Sequence, residues 1–173
     1  DEENPGYEYD VLGVLKGNLV SRFYIDADGI ECPEAKIAVD LGKRIGAIPA
    51  YAYLGDVGNS VTGDKKAQKF EDDYLDTLVE VIKELGFDAI TYMPTRNTPE
   101  QLERLTKLCQ EHGFFQISGE DINSPRQSFR CKALDDPKFH HLIDATYTLI
   151  GYEEMATVDP EGAKAKYAIM FRN

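Results

Sequence analysis

Apolar and polar positions alternate along this chain with two different periods, and the switches between them mark the elements. "LVSRFYIDA" (19–27) is rich in β-branched and aromatic residues and reads as a strand ending in a turn. "CPEAKIAVDLGKRIG" then carries Pro33 early, Ile37, Ala38, Leu41 and Ile45 on one helical face, and Gly46 as a stop. "AIPAYAYLG" (47–55) reads as a second strand, followed by a polar loop over 55–64. Phe70, Tyr74, Leu78, Val81, Ile82 and Leu85 recur at helical spacing, so a long helix is expected over 65–85, closed by Gly86. "FDAITYMP" (87–94) is a third strand. "TPEQLERLTKLCQEHG" opens with a Thr98–Gln101 capping box and Pro99, buries Leu102, Leu105, Leu108 and Cys109, and ends at Gly113. "FFQIS" (114–118) is the fourth strand. Asp136 and Pro137 start a last clear helix with Phe139, Leu142, Ile143 and Ile150 facing inward. The tail from Ala156 is mixed, with "KYAIMF" as a short strand.

The expected order is β-α-β-α-β-α-β-α in one α/β domain, flanked by an N-terminal extension (1–18) and a C-terminal tail (156–173). Helices of this length act as crossovers, so the strands should be parallel. Such units build either a small open sheet or part of a (β/α) barrel. Both architectures gather chemistry just past the C-terminal ends of the strands.

Those strand ends offer Asp26 and Asp28; Tyr53 and Asp56; Thr95, Arg96 and Asn97; and Glu120, Asp121, Asn123 and Arg126. Carboxylates beside Arg and Asn suit a metal-assisted phosphoryl site: the acids hold a hard cation, and Arg meets phosphate with a fork of N–H donors. The same residue types also cap helices and tolerate turns, so each has a structural reading beside the functional one. The acidic run "FEDDYLD" (70–76) suits the positive end of the following helix. No Walker-type phosphate loop and no GxSxG are present. His140 and His141 are adjacent, and His112 lies in the last turn of its helix. None has the spacing of a chelating pair.

The formal net charge of -12 disfavours nucleic acid and anionic membrane surfaces, which both call for a basic footprint. Cys32, Cys109 and Cys131 are odd in number and widely spaced, as expected of free thiols in a reducing compartment. No apolar run approaches the roughly 18 residues of a spanning helix, and no signal peptide opens the chain, so the cytoplasm is the expected location. The first residue is Asp1, and the acidic opening "DEENPG" is what a fragment of a longer protein would show.

"FDAITYMPTRNT", "GEDINSPRQ" (119–127) and "LIGYEE" together resemble the PHP (polymerase and histidinol phosphatase) superfamily, in particular the C-terminal half of bacterial PHP-domain metal-dependent phosphoesterases. "IPAYAYLGDVGNSVTGDKKAQKFEDDYLD" fits the same subgroup, and the resemblance runs from about Leu19 to Glu154. It implies a distorted TIM-like (β/α)7 barrel. It also implies two or three divalent ions, Zn, Mn or Fe, whose bridging hydroxide attacks a small phosphorylated substrate. Under it Asp121 and Glu120 are metal ligands, Asp121 and Arg126 are catalytic, and Arg96, Asn97, Asn123 and Arg126 meet the substrate.

The chain departs from the family pattern. It holds no HxH, Tyr51 stands after Ile48-Pro49-Ala50 where the family has a histidine, the Asp-x-His pair reads Asp121-Ile122-Asn123, and Tyr152 stands where a histidine is expected. The expectation is a chain that lacks part of the metal site and has little or no phosphatase activity by itself. A missing N-terminal segment or a partner chain would complete the barrel. The competing expectation is a catalytically degenerate PHP-like binding or scaffold module.

Overall fold

A computed structural model describes residues 3–57, 68–122 and 127–171. It opens with two helices, α1 (Tyr7–Phe23) and α2 (Ala35–Arg44). Strand β1 (Ala50–Ala52), helix α3 (Leu75–Leu85), strand β2 (Ala89–Tyr92), helix α4 (Pro99–His112) and strand β3 (Phe115–Ser118) follow. Helices α5 (His140–Ala156) and α6 (Pro160–Lys166) close the chain. The three strands form one parallel sheet in the order β1-β2-β3.

The register fixes what each face of the sheet buries. Tyr51 pairs with Ile90 and Ile90 with Gln116, one residue out of step with the Ala50–Ala89–Phe115 row. Alternation puts Tyr51, Ile90 and Tyr92 on one face and Ala50, Ala89 and Phe115 on the other. The first face packs on Leu75, Val79 and Ile82 of α3 and on Leu102, Leu105, Leu108 and Cys109 of α4. The second is covered through Phe115 by Leu149, Tyr152 and Met155 of α5, with Ala163 of α6 and Met170. Between the layers, buried Asp88 meets Lys43 Nζ at 3.3 Å and so ties the base of β2 to α2.

Helix α4 forms as its sequence expects. The Thr98 hydroxyl accepts from Gln101 N, and the Gln101 side chain accepts in turn from Thr98 N, a complete capping box. Leu102, Leu105, Leu108 and Cys109 are all buried. Gly113 leaves the helix at φ 70°, the left-handed region that disfavours other residues.

Several expectations fail. Residues 19–27 form no strand: Leu19 to Phe23 are the last turn of α1, and the backbone from Tyr24 is extended but unpaired. Here the local helical run from Tyr7 outweighs the β-propensity of Val, Phe and Tyr. The segment read as an extension is therefore helical from Tyr7. Helix α3 starts at Leu75, after a 3-10 turn over Asp72–Tyr74, ten residues later than expected; residues 65–67 lie outside the described set. Its buried stripe is Leu75, Val79 and Ile82, while Tyr74 and Val81 are exposed. Ile150 is exposed rather than inward. "KYAIMF" is no strand but the end of α6 and a 3-10 turn over Ala168–Met170. The result is a mixed α/β protein with a three-stranded parallel sheet.

Candidate functional site

Three strands end side by side at the C-terminal edge of the sheet, and polar side chains meet there. Two of them come from the acidic run that precedes α3. Glu71 is 5% exposed. Its Oε1 accepts from the Tyr51 hydroxyl at 3.0 Å and from Leu54 N at 3.3 Å, and its Oε2 accepts from Gly55 N at 2.9 Å. Asp72 Oδ1 accepts from the Tyr53 hydroxyl at 2.5 Å. Its Oδ2 accepts from Asp56 N at 3.1 Å and from Gln101 Nε2 at 2.6 Å. Asp56 Oδ1 accepts in turn from Phe70 N at 2.6 Å, and Lys69 lies 3.2 Å from its Oδ2.

This network clamps the turn after β1 between the approach to α3 and the start of α4. Period-2 alternation puts Tyr51 and Tyr53 on the same side of β1, and their hydroxyls reach Glu71 and Asp72. Burial first, then the facing carboxylates, hold both phenols well above the ordinary tyrosine range. Asp56 is held below the usual carboxylate range, chiefly by the Phe70 N–H, with help from Lys69.

The expected site residues divide. Asp28 stands apart in the exposed segment before α2, where its Oδ1 accepts from Ile30 N and Glu31 N in a local turn. Asp26 is exposed in the same stretch. Tyr53 and Asp56 belong to the network. Asn97 is buried beside it: its Nδ2 donates to Leu54 O at 2.8 Å and its Oδ1 accepts from Met93 N at 3.1 Å. Arg96 lies over the Phe70 ring, its guanidinium carbon 5.9 Å from the centroid. Glu120 accepts from the Thr95 hydroxyl, which joins the ends of β3 and β2. Cys131 sits beside Glu120, and burial first, then that carboxylate, raises its thiol. Asp121 is exposed, and its main-chain oxygen accepts from Gln127 Nε2 at 2.9 Å. Asn123 and Arg126 lie outside the described residues.

Sequence reading missed Glu71, Asp72 and Gln101 at this edge. The signal is present as Glu71 and Asp72 in "FEDDYLD", where nearness to a helix start suggests a dipole role and conceals the return to β1. They sit before α3, and only Asp76 of that run lies in its first turn. On the same face as Tyr51, the Tyr92 hydroxyl lies 3.0 Å from both Gln116 Oε1 and His141 Nε2, which ties the start of α5 to the central strand.

The metal centre implied by the PHP resemblance can be tested on this donor set. Among the described residues, no three His, Cys, Asp or Glu side chains converge as ligands. Glu71 and Asp72, the best-placed carboxylates, are turned into backbone N–H groups, hydroxyls and an amide. The described residues therefore do not fit a centre of two or three ions. No helix among them is long and apolar enough to cross a membrane. Comparison with protein-family models, curated proteins and solved structures finds no match for the chain.

Proposed function

We propose that this chain works as a non-catalytic binding or scaffold module of PHP-like layout. One observation carries the reading: among the described residues, the polar groups that gather after β1 and β2 are engaged with one another and with main-chain groups. Glu71 takes three donors and Asp72 three, and Asn97 bonds two main-chain groups. A catalytic site keeps groups aimed at a vacant position where a reacting atom can sit. These groups aim at the protein instead. Their work is to fix the turn after β1 and the approach to α3, which makes the edge rigid. The test is assay of the purified chain on a generic phosphomonoester with Zn, Mn or Fe(II) supplied, alongside elemental analysis. No turnover and less than one equivalent of metal is the expected result. Turnover, or two equivalents of metal per chain, overturns the reading.

A second reading keeps a phosphate-ester hydrolase of PHP type, with this chain supplying part of the site. Glu120 and Asp121 favour it, because they follow β3 directly at the edge where α/β proteins place their chemistry. In this reading Asp121 and Glu120 hold the divalent ion, and Arg96, Asn97, Asn123 and Arg126 meet a small phosphorylated substrate. A further segment or partner chain supplies the histidines. Calorimetric titration with Mn separates the readings: binding that Asp121→Asn abolishes supports the hydrolase lineage.

A further inference from the structure

Two apolar ridges on this molecule face solvent, and they match. Val11, Leu15 and Leu19 of α1 repeat every four residues, as do Ile37, Leu41 and Ile45 on α2 and its cap. All six are between 37% and 71% exposed, and no residue of α1 is buried. Ridges of residues four apart are what interlock in the commonest class of helix pair. Exposed apolar side chains grouped along a helix mark an interaction site.

Charge selects an orientation. Glu8 lies at the start of α1 and Arg22 at its end; Glu34 precedes α2 and Arg44 ends it. Antiparallel packing sets Glu8 beside Arg44 and Arg22 beside Glu34. Parallel packing would set like charges together at both ends. Lys43 is already engaged with Asp88, which leaves Arg44 as the basic group for this role.

We propose that α1 is an exchange arm: α1 of one copy lies antiparallel on α2 of a second copy, and the second copy reciprocates. Within one chain all six residues remain exposed, while a second copy brings one ridge of each kind. The connection 24–34 holds 11 residues and reaches about 36 Å when extended, enough to carry the arm to a neighbour. Two such contacts related by a twofold axis close on themselves and leave neither ridge open.

The test is sedimentation equilibrium of the full chain over a wide concentration range. A dimer is expected, at twice the 19.4 kDa chain mass. Leu15→Glu and Leu41→Glu should each weaken it at least tenfold, about 1.4 kcal/mol, with circular dichroism reporting whether the fold survives. Glu8→Lys should weaken the dimer, and adding Arg44→Glu should restore it; that rescue depends on the antiparallel contact and not on folding. A monomer at every concentration overturns the proposal, including the case where α1 folds back on its own α2. A dimer indifferent to all four substitutions overturns it as well.

Discussion

The Tyr53 hydroxyl donates to Asp72 Oδ1 at 2.5 Å, so the end of β1 is fastened to the residue that begins the approach to α3. Glu71 holds the same turn by its backbone, from a position one residue earlier and almost fully buried. The two carboxylates divide the work: Glu71 satisfies main-chain donors of the turn, and Asp72 links the turn to α4 through Gln101.

Glu71→Ala should therefore be among the most destabilising polar substitutions. It strips the partner from Leu54 N, Gly55 N and the Tyr51 hydroxyl together. Leaving buried donors unsatisfied costs about 1–3 kcal/mol per group, partly relieved where water enters, so a loss of roughly 3 kcal/mol is expected. Glu71→Gln retains acceptor capacity and should lose about half as much. Urea unfolding of both variants checks this. Equal, small losses would mean the turn holds without Glu71.

Gly55 should tolerate no side chain. Its φ is 70°, and a Cβ there would stand 2.7 Å from Asn97 Nδ2, 2.9 Å from Gln101 Nε2 and 2.9 Å from the Tyr53 hydroxyl oxygen. Strain and crowding act together, so Gly55→Ala should cost roughly 2 kcal/mol or more. Gly29, whose Cβ would meet nothing within 4 Å, is the control: Gly29→Ala should be near neutral. Thermal melts of the two variants should differ by several degrees.

The contrast between α4 and this turn explains how much of the molecule was legible. Thr98, Gln101, Pro99 and Gly113 act within a few residues of one another, so the sequence pattern of α4 carries its own boundaries. β2 and β3 were legible for the same reason, as short apolar runs bounded by turn residues. The site was legible as a place and in part of its membership: Tyr53, Asp56 and Asn97 follow their strands directly and do gather at the C-terminal strand ends. Which carboxylates reach them depends on contacts between residues 16 to 20 apart, as with Tyr51 and Glu71. Local periodicity carries no information about such returns. The 19–27 segment failed differently. Leu19 to Phe23 have strand-like composition, but among the described residues no strand pairs with them, and the helix simply continues.

The thiols should react in order of burial. Cys109 is fully buried and its pKa is pushed up to about 12 by that burial, so its thiolate is scarce near neutrality. Cys131 is partly buried, and burial and Glu120 both raise it. Cys32 is exposed. Iodoacetamide at mildly alkaline pH, read by mass spectrometry, should label Cys32 first and Cys131 next, and leave Cys109 unlabelled until denaturant is added. Early labelling of Cys109 would mean that α4 opens from the sheet readily.

Alkali should unfold this protein through its buried phenols. Tyr51, Tyr53 and Tyr92 are all held well above their ordinary range, by burial first and, for Tyr51 and Tyr53, by the facing carboxylates. A group whose pKa is raised by folding adds stability that is complete below its unfolded value and is lost as pH rises toward the folded one. The unfolded phenol ionises near 10, so urea stability should be flat from about pH 7 to about pH 9 and fall steeply beyond pH 10. Cys109, raised from 9.0 to about 12, adds to the same decline from about pH 9. Tyr53→Phe separates the contributions. It removes the donor to Asp72 and should lower stability at pH 7 by about 1–2 kcal/mol. It should also make the alkaline slope shallower by one proton's worth, because one fewer phenol must ionise on unfolding. A variant that keeps the full alkaline slope would place the titration elsewhere, on Tyr51 and Tyr92.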